Sequence, residues 1–183
     1  MKTKYRTGAI VVIATVTALA LVASASAAKL GGKTTLAPEA ATLDTLAAAG
    51  VTVAPAGQAS AGAKGISFPI SGGKFNVDKV SGKVKHKGGL TFSGNGTSVT
   101  LQGFVIKVGK KNVIRARVAG GGHVRLADLD LDRAKIKQRG GKLVISNVGV
   151  LLAGRAANAL SATFGLPDLR GADLGSATVT AKP

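Results

Sequence analysis

The stretch "LTFSGNGTSVTL", residues 90–101, carries the signature of a β-hairpin and decides the fold class. Apolar Leu90 and Phe92 alternate with polar residues, and Val99 and Leu101 resume the alternation after the turn sequence "GNG". Glycine and asparagine tolerate the positive φ angles of tight hairpin turns, and a period of two is typical of strands with one buried face. The segment therefore predicts two antiparallel strands.

Two further stretches repeat this pattern. They are "FVIKVGKKNVIRARV", residues 104–118, and "RGGKLVISNVGV", residues 139–150. Short alternating segments separated by glycine turns favour an antiparallel sheet over βαβ units. The sequence therefore predicts a mainly β fold with an antiparallel, sandwich-like sheet.

A short helix is predicted near each end of this sheet. "APEAATLDTLAAAG", residues 37–50, has Pro38 in its first turn and Gly50 as a stop signal. "VLLAGRAANALSATFG", residues 150–165, is rich in alanine and ends at Gly165. Its predicted apolar stripe comprises Leu151, Leu152, Ala156, Ala159, Leu160 and Phe164. We expect this second helix to pack on the sheet.

The first 28 residues have the pattern of a secretory signal peptide. Lys2, Lys4 and Arg6 precede an uncharged stretch at 8–23, and small residues up to Ala28 offer cleavage sites. The alternative is an uncleaved anchor, but the apolar stretch is shorter than the roughly 20 residues of a spanning helix. The sequence therefore predicts a secreted or cell-envelope protein with no transmembrane span after cleavage.

The rest of the chain divides into two predicted parts. Residues 29–65 hold the first helix and the stretch "VAPAGQASAGAKG", whose small residues and turn formers indicate a surface connection. Residues 66–183 form the predicted β-rich domain. The chain contains no cysteine, so its fold depends on its core and not on disulfides.

The charge balance is strongly basic. Lysine and arginine number 25 against eight aspartate and glutamate residues, a formal net charge of +17. Such a charge attracts anionic polymers, although it also serves solubility alone. Strand alternation places cations opposite the apolar face, and this predicts polyanion-binding residues: Lys83, Lys85, Lys87, Lys107, Lys110, Lys111, Arg115 and Arg117.

The two histidines are the candidate ligand-binding residues. In "SGKVKHKGGLTF", residues 81–92, alternation places His86 on the apolar face with Val84 and Leu90. His123 follows three glycines. The alternatives are a hydrogen-bonded core histidine at 86 and a turn residue at 123.

The acidic triplet in "HVRLADLDLDRAKI", residues 123–136, raises the question of calcium. An EF-type loop needs a glycine after its third acid and a distal glutamate, whereas this chain has Arg133 and Arg139 there. We therefore predict no metal site, and cross-strand pairing of Asp128, Asp130 and Asp132 with cations. Two changes of apolar phase in the same stretch predict a bent or bulged strand.

Catalytic and nucleic-acid-binding patterns are weak. No serine stands in a nucleophile elbow, and Glu39 is the single glutamate. Tyrosine, tryptophan and phenylalanine make up 3% of the chain, which leaves few stacking platforms for single strands. The sequence predicts no enzyme, no catalytic residue and no specific nucleic-acid partner.

Two segments resemble the HtaA-type domain of exported haem-uptake proteins in Gram-positive bacteria. "GKVKHKGGLTF" contains the pattern H-x-G-x-L, and "LLAGRAANALSATFGLPDLRGADLGSATVT" is similar to the family's closing helix and strand. The resemblance extends over residues 68–180. It implies a secreted β-rich domain and, in the haem binders, a tyrosine ligand assisted by a histidine. His86 matches that histidine, whereas the single tyrosine, Tyr5, lies in the predicted signal peptide.

Two functions follow as expectations. The first is an exported HtaA-like binding module of the cell envelope, with haem or another hydrophobic ligand as its cargo. The alternative is a structural or adhesive envelope domain that binds anionic surface polymers, such as cell-wall polymer, through its cationic sheet face.

Overall fold

The computed structural model describes residues 30–182, which form a mainly β domain with two helices. All strand pairings within this range are antiparallel, as predicted. In chain order the elements are β1 (Gly31–Pro38), α1 (Ala40–Ala48), β2 (Thr52–Ala56), β3 (Ser60–Gly62), β4 (Gly65–Asn76), β5 (Ser81–His86), β6 (Gly89–Gly94), β7 (Thr97–Val108), β8 (Val113–Val118), β9 (His123–Asp130), β10 (Lys135–Arg139), β11 (Lys142–Leu152), α2 (Gly154–Phe164) and β12 (Asp173–Lys182). The predicted signal peptide lies outside the described residues.

The sheet closes on itself. Its strands follow the order β7-β5-β4-β1-β12-β11-β9-β8, and β8 pairs back with β7. Strand β6 also pairs with β7, and β2 pairs with β6. Strands β3 and β10 add to β4 and β11. The predicted antiparallel sheet is therefore confirmed, and its inward face encloses one continuous apolar core.

The stretch predicted as a surface connection is part of this sheet. Strand β2 pairs with β6 from Thr52 opposite Ser93 to Ala56 opposite Gly89, and β3 pairs with β4. Proline lacks a backbone donor, but Pro55 is tolerated because β2 stands at the end of the strand order and needs partners on one side only. The prediction of a connection at 53–65 is therefore wrong where these strands form.

Strand β1 was missed altogether. It lies between β4 and β12, and it pairs with β12 over its whole length, from Gly31 opposite Lys182 to Pro38 opposite Gly175. The predicted first helix follows directly as α1. Residues from Gly31 onward therefore belong to the same sheet as the predicted β-rich domain.

The two helices cover the same end of the closed sheet. Leu46 of α1 and Leu160 of α2 face a shared apolar cavity with Leu36 of β1 and Leu152 of β11. The predicted stripe of α2 is correct at Ala156, Leu160 and Phe164, which are buried. It is wrong at Leu151 and Leu152, which belong to β11, and at Ala159, which is exposed. Neither helix in the described part of the chain is long and apolar enough to cross a membrane.

The predicted bend at 123–136 occurs in two steps. The register between β8 and β9 shifts between Ile114 and Arg115, so that β9 has one extra residue, Leu126, there. Strand β9 then ends at Asp130, and β10 begins at Lys135 and pairs with an earlier part of β11, the strand that also pairs with β9. A bulge and a strand break thus account for the two phase changes.

Candidate functional site

His86 lies inside the closed sheet and uses both ring nitrogens. Its side chain is 5% exposed, as is that of Thr34 on β1. Nδ1 donates to the Phe104 carbonyl oxygen at 3.2 Å, so Nε2 accepts from the Thr34 hydroxyl at 2.7 Å. Lys85 and Lys87 are exposed on either side. The predicted register, with His86 on the face of Val84 and Leu90, is confirmed.

Burial keeps this imidazole neutral. Loss of hydration disfavours the imidazolium and lowers the pKa of His86 from 6.5 to about 4, although the hydrogen bond to Phe104 opposes part of that effect. His86 therefore carries no charge at neutral pH, and its two hydrogen bonds fix one tautomer.

The surroundings of His86 do not fit a haem. Iron ligation needs a free imidazole nitrogen, and here Phe104 and Thr34 occupy both. The adjoining cavity is about 50 Å³ and is lined mostly by aliphatic side chains and by Phe68 and Phe104, whose ring centroids lie 5.1 Å apart. No tyrosine occurs in residues 30–182. His123 is exposed at the start of β9, opposite Arg117, so the two histidines do not form one site.

The outward side of β4, β5, β7, β8 and β9 is strongly basic, and we call it the cationic face. It is defined by exposed side chains that alternate with buried ones along each strand, namely Lys74, Lys83, Lys85, Lys107, Arg115, Arg117, His123 and Arg125. The remaining predicted cations are exposed nearby. Lys87 follows β5, and Lys110 and Lys111 lie in the turn between β7 and β8.

Several cations of this face stand directly opposite one another. Lys83 is paired in register with Lys74 on one side and with Lys107 on the other, which gives a row across three strands. Arg115 faces Arg125 across the next pair of strands. Like charges directly opposite one another destabilise a sheet.

Little acid offsets this charge. Among residues 30–182 the ion pairs are Arg125–Asp128 and Arg170–Asp168, and only the first touches the cationic face. The Arg125 Nε donates to Asp128 Oδ1 at 2.7 Å. The row formed by Lys74, Lys83 and Lys107 has no acidic partner in the described structure.

The acidic triplet is used differently from the prediction. Asp128 stands opposite Val113 and Leu151, and it pairs with Arg125 of its own strand, three residues earlier. Asp130 accepts a hydrogen bond from the Asp132 amide at 2.9 Å and shapes the strand end. Cross-strand pairing with cations was therefore wrong for Asp128. Across the described range no three histidine, aspartate or glutamate side chains meet as metal ligands would.

Lys74 and Arg125 were absent from the predicted set of cations. Arg125 alternates with Val124 and Leu126, so its outward position was readable from the sequence. Lys74 lies in "SGGKFN", where two glycines without side chains interrupt the alternation of apolar and polar residues. Its place beside Lys83 follows only from the pairing of β4 with β5.

These features together define a class of protein. That class is a closed antiparallel β-domain with an apolar core and a cationic outer face. The chain belongs to the HtaA family, since the family model for Htaa matches residues 44–165. No curated protein matches the chain.

Two solved structures have the same fold. The C-terminal domain of HtaA from Corynebacterium glutamicum aligns with a TM-score of 0.63 and 14% identity, over 83% of this chain and 98% of that domain. A histidine-to-alanine variant of that domain, crystallised as a domain-swapped dimer, aligns with a TM-score of 0.56 and 16% identity, over 79% and 92%.

Proposed function

We propose that this protein is a non-enzymatic binding module of the cell envelope that associates with anionic surface polymers through its cationic face. The observation that carries the proposal is the row Lys74, Lys83 and Lys107, which has no acidic partner among the described residues, together with Arg115 opposite Arg125. The predicted signal peptide supports a location where such polymers occur.

The spacing of these cations suits a polymer better than a small anion. Neighbouring strands lie about 4.8 Å apart, so the row presents a positive charge at each strand over three strands. A flexible chain with regularly repeated carboxylates or phosphates can neutralise several of these cations at once. The repulsion that weakens the free sheet is then relieved on binding.

Binding to purified cell wall at two salt concentrations tests this proposal. Screening shortens the reach of exposed charges from about 10 Å at 0.1 M salt to about 3 Å at 1 M. We expect the protein to sediment with the wall at the lower concentration and to be released at the higher one. Equal retention at both would contradict the proposal.

The expectation of haem as cargo comes from the family resemblance, and a haem titration examines it separately. Because both nitrogens of His86 are hydrogen-bonded, we expect no Soret band that depends on this histidine. The comparison is between wild type and His86→Gln, whose amide can keep both hydrogen bonds. A band present in wild type and lost in the variant would show that His86 turns away from Thr34 to bind iron.

A further inference from the structure

A second apolar space lies at the end of the closed sheet away from the helices. It is enclosed by the last residues of β4, β7 and β12 and by the first residues of β5 and β11. Its volume is about 230 Å³. The lining residues are all alanine, valine, leucine, isoleucine or phenylalanine: Leu30, Phe75, Val80, Val84, Ile106, Val108, Leu129, Leu131, Ala134, Ile136, Leu143, Ile145, Val148, Ala177, Val179 and Ala181.

A space of this size and composition is unusual in a folded core. Protein interiors are packed as densely as organic crystals, and voids larger than one water molecule are few. A water molecule in this space would find no polar side chain to bond, because every described lining side chain is apolar. Comparable apolar cavities stay dry and bind small hydrocarbons. The composition thus selects an apolar occupant.

The cavity has an exit with one charged group. A second space of about 300 Å³ adjoins it and shares Leu30, Phe75, Leu143 and Ala181 with it. Its outer wall is the turn between β10 and β11, where Gly140 and Gly141 lie next to Lys142 and Gln138. Among the lining residues that the structure describes, Lys142 has the one charged side chain, and none is an acid.

Val80 marks the same end of the sheet. It lies in the turn between β4 and β5, lines the cavity, and is 39% exposed, which makes it one of two large apolar side chains that are exposed in the described chain. Its φ angle is +42°, in the left-handed region that branched side chains rarely adopt. Strained positions of this kind cluster at ligand sites and switch regions.

We propose that this cavity binds the hydrocarbon chain of a single-chain amphiphile with an anionic head. The hydrocarbon chain occupies the apolar space, because none of the described side chains there is polar and able to receive a head group. The head lies in the outer space, where the Lys142 ammonium and the Gln138 amide can donate hydrogen bonds. This ligand and its site are separate from the cationic face.

Dodecanoate, dodecanol and dodecylamine, each below the concentration at which it forms micelles or separates from solution, are suitable probes. They share a chain and differ in the charge of the head. We expect dodecanoate to bind about tenfold more tightly than dodecanol in calorimetry, as a hydrogen bond to a charged group would give, and dodecylamine to bind least. Dodecanoate should also raise the melting temperature of the protein, because a ligand of the folded state stabilises that state. Equal affinity for dodecanoate and dodecylamine would overturn the proposal.

Three variants locate the site. Lys142→Gln should abolish the preference for dodecanoate over dodecanol, while Lys135→Gln, an exposed position on β10 outside the lining, should keep it. Ala134→Phe places a ring in the cavity from its half-buried wall and should weaken binding of both probes at least tenfold. Ala134→Leu provides a smaller filling group in case the ring prevents folding. Unchanged dodecanoate affinity in a folded filling variant would overturn the proposal.

Discussion

Acidification from pH 7 to pH 4 should reduce the free energy of unfolding by about 3 kcal/mol, mainly through His86. The folded state holds the pKa of His86 at about 4, whereas the ordinary value is 6.5. Between these pH values His86 is protonated in the unfolded chain and neutral in the folded protein, so the free energy of unfolding rises with pH across this window. The stabilisation is complete above pH 6.5 and is lost as pH falls towards 4.

Denaturant unfolding at a series of pH values measures this loss. His86→Gln should flatten the profile between pH 6.5 and 4, because its amide can bond Phe104 and Thr34 without titrating. His123→Gln, at an exposed position, is the matched control and should keep the wild-type slope. The eight acids of the chain leave few other groups to produce it. An unchanged slope in His86→Gln would refute the assignment.

Replacement of Lys107, Arg115 and Arg117 by glutamine should weaken wall binding roughly 100-fold at low salt. A lysine or arginine near an anionic surface contributes about 1 kcal/mol, and three such losses add to about that factor. The fold should be unaffected, because the three side chains are exposed and such substitutions change stability by under about 0.5 kcal/mol each. Removing Lys107 from its place opposite Lys83 also relieves repulsion.

The control for this variant must lower the net charge equally. Lys33, Lys64 and Lys137 are exposed on β1, in the turn between β3 and β4, and on β10, and none of them belongs to the cationic face. Their replacement by glutamine should leave most of the binding intact. If both triple variants lose affinity equally in sedimentation with purified wall, net charge alone causes the association and the cationic face has no special role.

The strands of this fold were predictable where alternation and turn chemistry agree. Residues 90–101 pair as expected, with Leu90 opposite Leu101 and Phe92 opposite Val99. The inward position of His86 followed from the same period. Such local patterns specify which face of a strand is buried, and the outward cations followed from them.

The closure of the sheet and the existence of strand β1 could not be predicted from such local sequence patterns. On β1 the buried residue beneath His86 is Thr34, a polar side chain that interrupts the apolar alternation by which a strand is recognised. Its strand partners, Phe68 and Val179, lie 34 and 145 residues further along the chain. The rows of like charge on the cationic face also depend on which strands pair and in which register. The outward position of individual cations was therefore predictable from the sequence, whereas their positions opposite one another were not.

The pairing of β1 with β12 has a consequence for how the protein reaches its folded state. The first and last strands of the described chain are hydrogen-bonded neighbours. The sheet therefore cannot close until residues 173–182, which form β12, have been synthesised. Long-range strand pairing of this kind slows folding, since a large loop must close first. A nascent chain that lacks β12 therefore has an open sheet and an incomplete fold. We therefore expect the domain to reach its closed form only after synthesis of its last strand, and not during synthesis.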